Sequence, residues 1–188
     1  MSDVPKTNTH ASSALVQASN DDIPEVVSLM NRAYRGSDGE SGGWSTREKY
    51  LTGDRTTEIL LRDDLSASPH ASLLIWRLEG KSGIAGSVWL EPQGDGHWYL
   101  GSLAVDPVLQ NSGLGKKFLS LAEDWIREQG GRRIDITVIN VRETLIDWYG
   151  RRGYRDMGER EPFPYGDNRF GIPQRSDLFF VKLQKNLF

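Results

Sequence analysis

Apolar positions change their period several times along the chain, and each change marks an element. Ile23, Val26, Val27, Met30, Ala33 and Tyr34 recur at helical spacing behind Asn20-Asp21-Asp22 and a first-turn Pro24. They predict an amphipathic helix ending near Arg35. Residues 14–18 before it are a short candidate strand. A loop rich in glycine, serine and acid spans 36–43 and ends at Trp44. Short helices are expected at 45–51, where Ser45 and Glu48 make a capping box, and at 56–65. Two runs, 71–78 and 84–91, flank the turn 79–83 and read as a hairpin.

The stretch 98–129 organises the rest. Trp98, Tyr99, Leu100, Leu103 and Val105 form a run that stops at Asp106-Pro107, where proline removes a ladder donor and fixes the chain direction. After the loop Gln110-Asn111-Ser112-Gly113-Leu114-Gly115, helical spacing returns at Leu114, Phe118, Leu121, Ala122 and Trp125 until Gly130. Strand, glycine loop and helix in that order aim backbone N–H groups and a helix dipole at an anion, most simply a phosphate. Residues 133–139 form a β-branched strand expected to run parallel to 98–106, because a helix separates them. A helix at 144–152 turns Leu145, Trp148 and Tyr149 inward and stops at Gly153. Strands at 154–161 and 178–183 follow, joined by the loop 162–171. The order β-α-α-β-β-β-α-β-α-β-β predicts a mixed sheet with helices on its faces, an α/β or α+β fold.

Composition narrows the class. With 188 residues and 21.1 kDa, a disordered tail at 1–13 and one domain at 14–188 are expected. A net charge of −3 and a pI near 5.7 give no general electrostatic case for nucleic acid or an acidic membrane. The absence of cysteine removes disulfides, thiolate metal sites and a cysteine nucleophile, and fits a reducing cytoplasm. No apolar run approaches the roughly 18 residues of a membrane span. His10, His70 and His97 stand in no metal or triad spacing, so no metal is expected.

The glycine loop excludes two nucleotide motifs. Counting back from Gly115-Lys116, a Walker loop needs glycine at Gln110 and a hydroxyl at Lys117. A dinucleotide fingerprint needs a third glycine where Phe118 sits. The loop instead resembles the acetyl-CoA loop of the GNAT superfamily of N-acetyltransferases, Gln/Arg-x-x-Gly-x-Gly/Ala. The preceding Leu103-Ala104-Val105-Asp106-Pro107 and the helix after it resemble that family too. So do the order of elements and the pattern from Leu145 to Tyr154, in which the tyrosine is Tyr149.

The resemblance implies a mostly antiparallel sheet of about seven strands, with a V-shaped splay between the two parallel central strands. It implies acetyl-CoA as acetyl donor, its pyrophosphate cradled by Gln110, Asn111, Ser112, Gly113, Leu114 and Gly115, with Lys116 adding charge. The pantetheine arm would pair with Leu103 and Val105, the acyl oxygen lying near the Leu103 amide. Tyr149 takes the role of thiolate acid, although the apolar face it shares with Leu145 also suits a tyrosine that only packs. Many family members have asparagine where this chain has Arg142, so either Asn140 or Arg142 is the candidate for the CoA arm, or Arg142 is a surface residue. Glu91, at the end of the strand beside the central one, is the candidate general base; its other reading is a solvent-facing strand end. Tyr34, Trp44 and Tyr165, with Phe163, Phe170, Asp167 and Arg169, are candidates for an acceptor pocket suited to a small, partly apolar amine.

The implied activity is acetyl transfer to the primary amine of a small molecule by direct attack in a ternary complex. Transfer to a protein or peptide amine and a non-catalytic acyl-CoA sensor are the alternatives. An exposed edge strand near the C-terminus permits a homodimer.

Overall fold

The structure, a computed structural model, describes residues 15–36, 50–109 and 113–188. In chain order its elements are β1 (Val16–Gln17), α1 (Ile23–Arg35), β2 (Leu51–Thr52), α2 (Glu58–Ala67), β3 (Ser72–Trp76), β4 (Gly86–Gly94) and β5 (His97–Val105). Then come α3 (Leu114–Glu128), β6 (Arg133–Ile139), α4 (Glu143–Gly150), β7 (Arg155–Pro162), β8 (Ile172–Pro173) and β9 (Phe179–Asn186). The expected tail at 1–13, and nearly all of the loop at 36–43, lie outside the described residues. The helix expected at 45–51 is corrected at its end. Leu51 and Thr52 are extended and pair with Pro173 and Ile172, so a partner distant in sequence sets their conformation.

The described strands form a seven-stranded sheet in the order β1-β3-β4-β5-β6-β9-β7, with β2 and β8 as a separate pair. Every pairing is antiparallel except β5 with β6, which run parallel. That parallel ladder holds only from His97 opposite Arg133 to Tyr99 opposite Asp135. β6 stays paired with β9 as far as Ile139, and β5 stays paired with β4 as far as Val105. The two strands therefore separate beyond Tyr99 and open a V at their carboxyl ends.

A bulge in β5 shapes one wall of the V. Gly101 is opposite Trp89 and Ala104 opposite Ser87, so Ser102 and Leu103 face the single residue Val88. Ser102 adopts φ +49°, a left-handed conformation. The extra residue shifts the alternation by one position. Trp98 and Leu100 belong to the core on the α3/α4 face, whereas Ala104 packs with α1 on the opposite face. Leu103 and Val105 are turned back toward α3 and α4.

The two faces are packed separately. Ile23, Val26, Leu29 and Met30 of α1 and Leu61 of α2 lie against Leu73 and Ile75. Phe118, Leu119, Ala122 and Ile126 of α3 cover Trp76, Val88, Leu100 and Ile134 on the other side. One buried carboxylate fixes α3 further. Glu123 accepts hydrogen bonds from Tyr154 Oη at 3.1 Å and Lys185 Nζ at 2.6 Å, joining the helix to β9.

Candidate active site

The V is flanked by two cavities of about 200 Å³ and 240 Å³. The first runs from the N-terminus of α3 to the end of β5. Gly113 precedes the helix with φ +77° and ψ 0°, a conformation that favours glycine. The first N–H groups of the helix have no acceptor within it and are available to an anion. Gly113, Gly115 and Lys116 line this cavity together with Leu103, Val105, Trp148 and Tyr149. The end of β5 is itself fixed: the Asp106 carboxylate accepts from Val108 N at 3.0 Å and pairs with Arg32 of α1 at 3.4 Å. A helix N-terminus with Lys116 beside it and the apolar side chains of Leu103 and Val105 along the same cavity would suit an elongated phosphorylated thioester.

Tyr149 stands between the cavities and lines both. It is 6% exposed and packs edge-on against Trp148 and Tyr154. Burial pushes its phenol well above the ordinary tyrosine value, and nearby Tyr34 adds to this while Arg142 opposes it. The hydroxyl therefore keeps its proton at neutral pH and is available as a donor.

The second cavity lies on the α1 side of the V. Tyr34, Tyr50, Leu51 and Phe170 form its outer wall, and Tyr99, Thr137 and Ile139 lie along the parted strands. Tyr34 Oη donates to the Leu103 carbonyl at 3.2 Å and so ties α1 to the bulge. Arg35, Arg55 and Arg142 also line it, as does Glu161 of β7, the one carboxylate there among the described residues. Arg35 donates to the carbonyls of Gly53 and Phe170, both at 2.8 Å. Burial and then the charge of Arg55 lower its pKa from the usual arginine value.

The predicted residues divide clearly. Leu103, Val105, Gly113, Gly115, Lys116, Tyr34 and Tyr149 converge on the cavities, and Phe170 lines the second. Leu114 is partly buried against the core instead. Gln110, Asn111, Ser112 and Trp44 lie outside the described residues. Asn140 is occupied elsewhere: it accepts from Phe179 N at 3.0 Å and donates to the Asp177 carbonyl at 3.1 Å. Arg142, its alternative, lines both cavities. Glu91 is away from both; its carboxylate accepts from Trp89 Nε1 at 3.1 Å on β4. The Tyr165 hydroxyl accepts from Leu178 N at 2.8 Å and its ring packs on Phe163, so it braces the late loop without lining either cavity. Asp167 accepts from Arg169 N, and Arg169 pairs with Asp64 of α2.

Sequence reasoning missed Arg55, Glu161 and Tyr50. None stands in a motif; each reaches the cavity through a tertiary arrangement. Among the described residues, no helix is long and apolar enough to cross a membrane. No group of three or more His, Cys, Asp or Glu is placed to hold a metal ion among them.

Comparison with known proteins adds to this geometry. No curated protein matches the chain. Solved structures of similar fold include the ribosomal-protein-S18-alanine N-acetyltransferase from Escherichia coli, with TM-score 0.64, 13% identity and 93% of each chain covered. The IAA acetyltransferase from Bacillus cereus has TM-score 0.60 and 15% identity, covering 93% of this chain and 99% of its own. A GNAT family acetyltransferase from Elizabethkingia anophelis with acetyl-CoA bound has TM-score 0.52 and 18% identity, covering 67% of this chain and 81% of its own. The model of the acetyltransferase (GNAT) family matches residues 25–154, more than half of the sequence. This chain therefore belongs to the GNAT family of acetyltransferases.

Proposed function

We propose that the protein transfers the acetyl group of acetyl-CoA to a primary amine of a small molecule, by direct attack in a ternary complex. The observation that carries this reading is the position of Tyr149, which borders a donor-side and an acceptor-side cavity where β5 and β6 part. Acetyl-CoA, when bound, supplies an activated acetyl thioester. The α3 N-terminus with Gly113, Gly115 and Lys116 would hold its phosphates, and Leu103 and Val105 would align its arm.

The chain's own groups then have distinct tasks. Leu103 offers its backbone N–H from the bulge as an oxyanion donor. Glu161, the carboxylate lining the acceptor cavity, takes the proton that a protonated amine must lose before it attacks. Tyr149 holds a proton on Oη for the departing sulfur. Glu161 thus replaces Glu91 as the proposed base, because Glu91 lies outside both cavities.

A small acceptor is favoured by the wall that Tyr50, Leu51 and Phe170 build outside the V. The test is release of CoA thiol across a panel of small amines and of peptides with free N-termini. Turnover of small amines, slowed by Glu161→Gln and Tyr149→Phe but not by Glu91→Gln, is the expected outcome. Turnover confined to peptides contradicts the assignment of the acceptor.

A further inference from the structure

Among the described residues, arginines outnumber carboxylates in the lining of the acceptor cavity. Arg35, Arg55 and Arg142 line it, and none of the three is ion-paired with a carboxylate among the described residues. Arg35 has two of its donors committed to backbone carbonyls. Arg55 differs. Its Nη2 donates to Ser102 Oγ at 3.1 Å, and its guanidinium carbon stands 5.3 Å from the Tyr34 ring centre and 5.7 Å from that of Phe170. Its backbone N–H donates to Asn31 Oδ1 at 2.7 Å. The residue is thereby anchored at its backbone and at the tip of its side chain, while the one guanidinium hydrogen bond uses only one of five donors.

Gathering cations that have no ion-pair partner among the described residues in one partly buried space is unfavourable unless an anion joins them. The lowered pKa of Arg35, caused by burial and then by Arg55, is a sign of that cost. A planar guanidinium beside two aromatic rings suits bidentate recognition of a carboxylate. Ser102, which holds Arg55, is the neighbour of Leu103, so the anion site lies close to the proposed point of transfer. Glu161 lines the same cavity, along with Tyr99 and Thr137 of the parted strands.

Two opposite charges in one cavity match a zwitterion. We propose that the acceptor is an amino acid, a primary amine whose carboxylate lies within a few bonds of the nitrogen and is bound by Arg55 with support from Arg142. Phe170, Phe180 and Ile139 give the same cavity an apolar wall for its side chain. The proposal rests on the acetyl-transfer reading above. It also separates a free amino acid from a peptide N-terminus, whose α-carboxyl is already an amide.

The test compares leucine, methionine and phenylalanine with their carboxamides, which keep the amine and side chain but lose the anion. Each pair is assayed for CoA release and also titrated calorimetrically into CoA-saturated protein, so an inert panel still decides. The amino acids should exceed their amides by about tenfold or more in kcat/KM or in affinity for at least one pair, the usual scale for one charged hydrogen-bonded contact. Arg55→Gln should collapse that ratio toward one, mainly through KM, and Arg55→Lys should restore part of it. Arg142→Gln should reduce it less. Thermal melting and acetyl-CoA binding of each variant report whether it folds. Equal or reversed preference within every pair, or a ratio unchanged in folded Arg55→Gln, overturns the proposal while leaving acetyl transfer intact. A wild type that does not bind acetyl-CoA overturns the acetyl-transfer reading and this proposal with it.

Discussion

The hydroxyl of Tyr34 donates to the carbonyl of Leu103 at 3.2 Å, joining α1 to the bulge that forms one wall of the V. The same ring lies 5.3 Å from the guanidinium carbon of Arg55 and 5.9 Å from that of Arg142. Removing the hydroxyl alone separates these roles. Tyr34→Phe should cost ~1 kcal/mol of stability, the usual worth of one hydrogen bond. It should lower kcat more than it raises the KM for amine, because Leu103 loses its brace while both cation–π contacts remain. Urea titration and steady-state kinetics check this; a KM effect without a kcat effect contradicts it.

The two loop glycines should respond differently to alanine. At Gly113 an added Cβ meets nothing within 4 Å, but φ is +77°. Gly113→Ala should therefore pay only a conformational cost, ~1–2 kcal/mol, and weaken acetyl-CoA binding by disturbing the entry to α3. At Gly115 the Cβ would lie 3.7 Å from Trp148, an ordinary contact, in helical backbone. Gly115→Ala should be neutral or stabilising by up to ~1 kcal/mol, since alanine is the better helix former. Calorimetric titration and thermal melting distinguish the two; equal losses would contradict the difference.

Gly171 carries a steric requirement instead. A Cβ there, at φ +96°, would stand 2.6 Å from Arg35 Nη2 and 2.8 Å from the Thr52 carbonyl oxygen. Gly171→Ala should push Arg35 off the Phe170 carbonyl and loosen the β2–β8 pair. It should raise the KM for the amine and leave the dissociation constant of acetyl-CoA unchanged. Unchanged kinetics in the folded variant would contradict the placement of this wall.

Part of this site was legible in the sequence, and the division has a physical basis. The helical period from Ile23 to Tyr34 and the β-branched run at 133–139 match α1 and β6, because local patterning decides both. Gly113 and Tyr149 were reachable because their motifs are continuous in sequence. The bulge was not, since Ser102 takes its left-handed φ without the glycine that would advertise it. Arg55 reaches the cavity through Asn31 and Ser102, neighbours 24 and 47 positions away. Asn140 had the side chain expected at a CoA arm, but the amide is consumed in holding Phe179 beside the end of β6. Glu161 sits on β7, whose residues are exposed throughout and give no alternating signal.

Alkaline pH should unfold the protein through its buried phenols. Tyr50, Tyr99, Tyr149 and Tyr154 all have pKa values raised chiefly by burial. A group whose pKa is higher in the folded state contributes fully below its unfolded value and loses that contribution as pH rises toward the folded one. The urea midpoint should therefore fall above about pH 10, the ordinary tyrosine value. Tyr154→Phe should make that fall shallower, although it also leaves Glu123 with one partner fewer. A midpoint that holds steady above that pH contradicts the assignment.

The most direct test of the central claim is acetyl-CoA-dependent release of free thiol by wild type and Tyr149→Phe, with acetyl-CoA binding measured on both. The chain has no cysteine, so it contributes no thiol background. Wild type should turn over, and Tyr149→Phe should bind acetyl-CoA normally while kcat falls by about 10²-fold, the scale of losing one positioned acid. A folded Tyr149→Phe variant with wild-type kcat, or a wild type that binds no acetyl-CoA, would contradict the claim that chemistry occurs where β5 and β6 part.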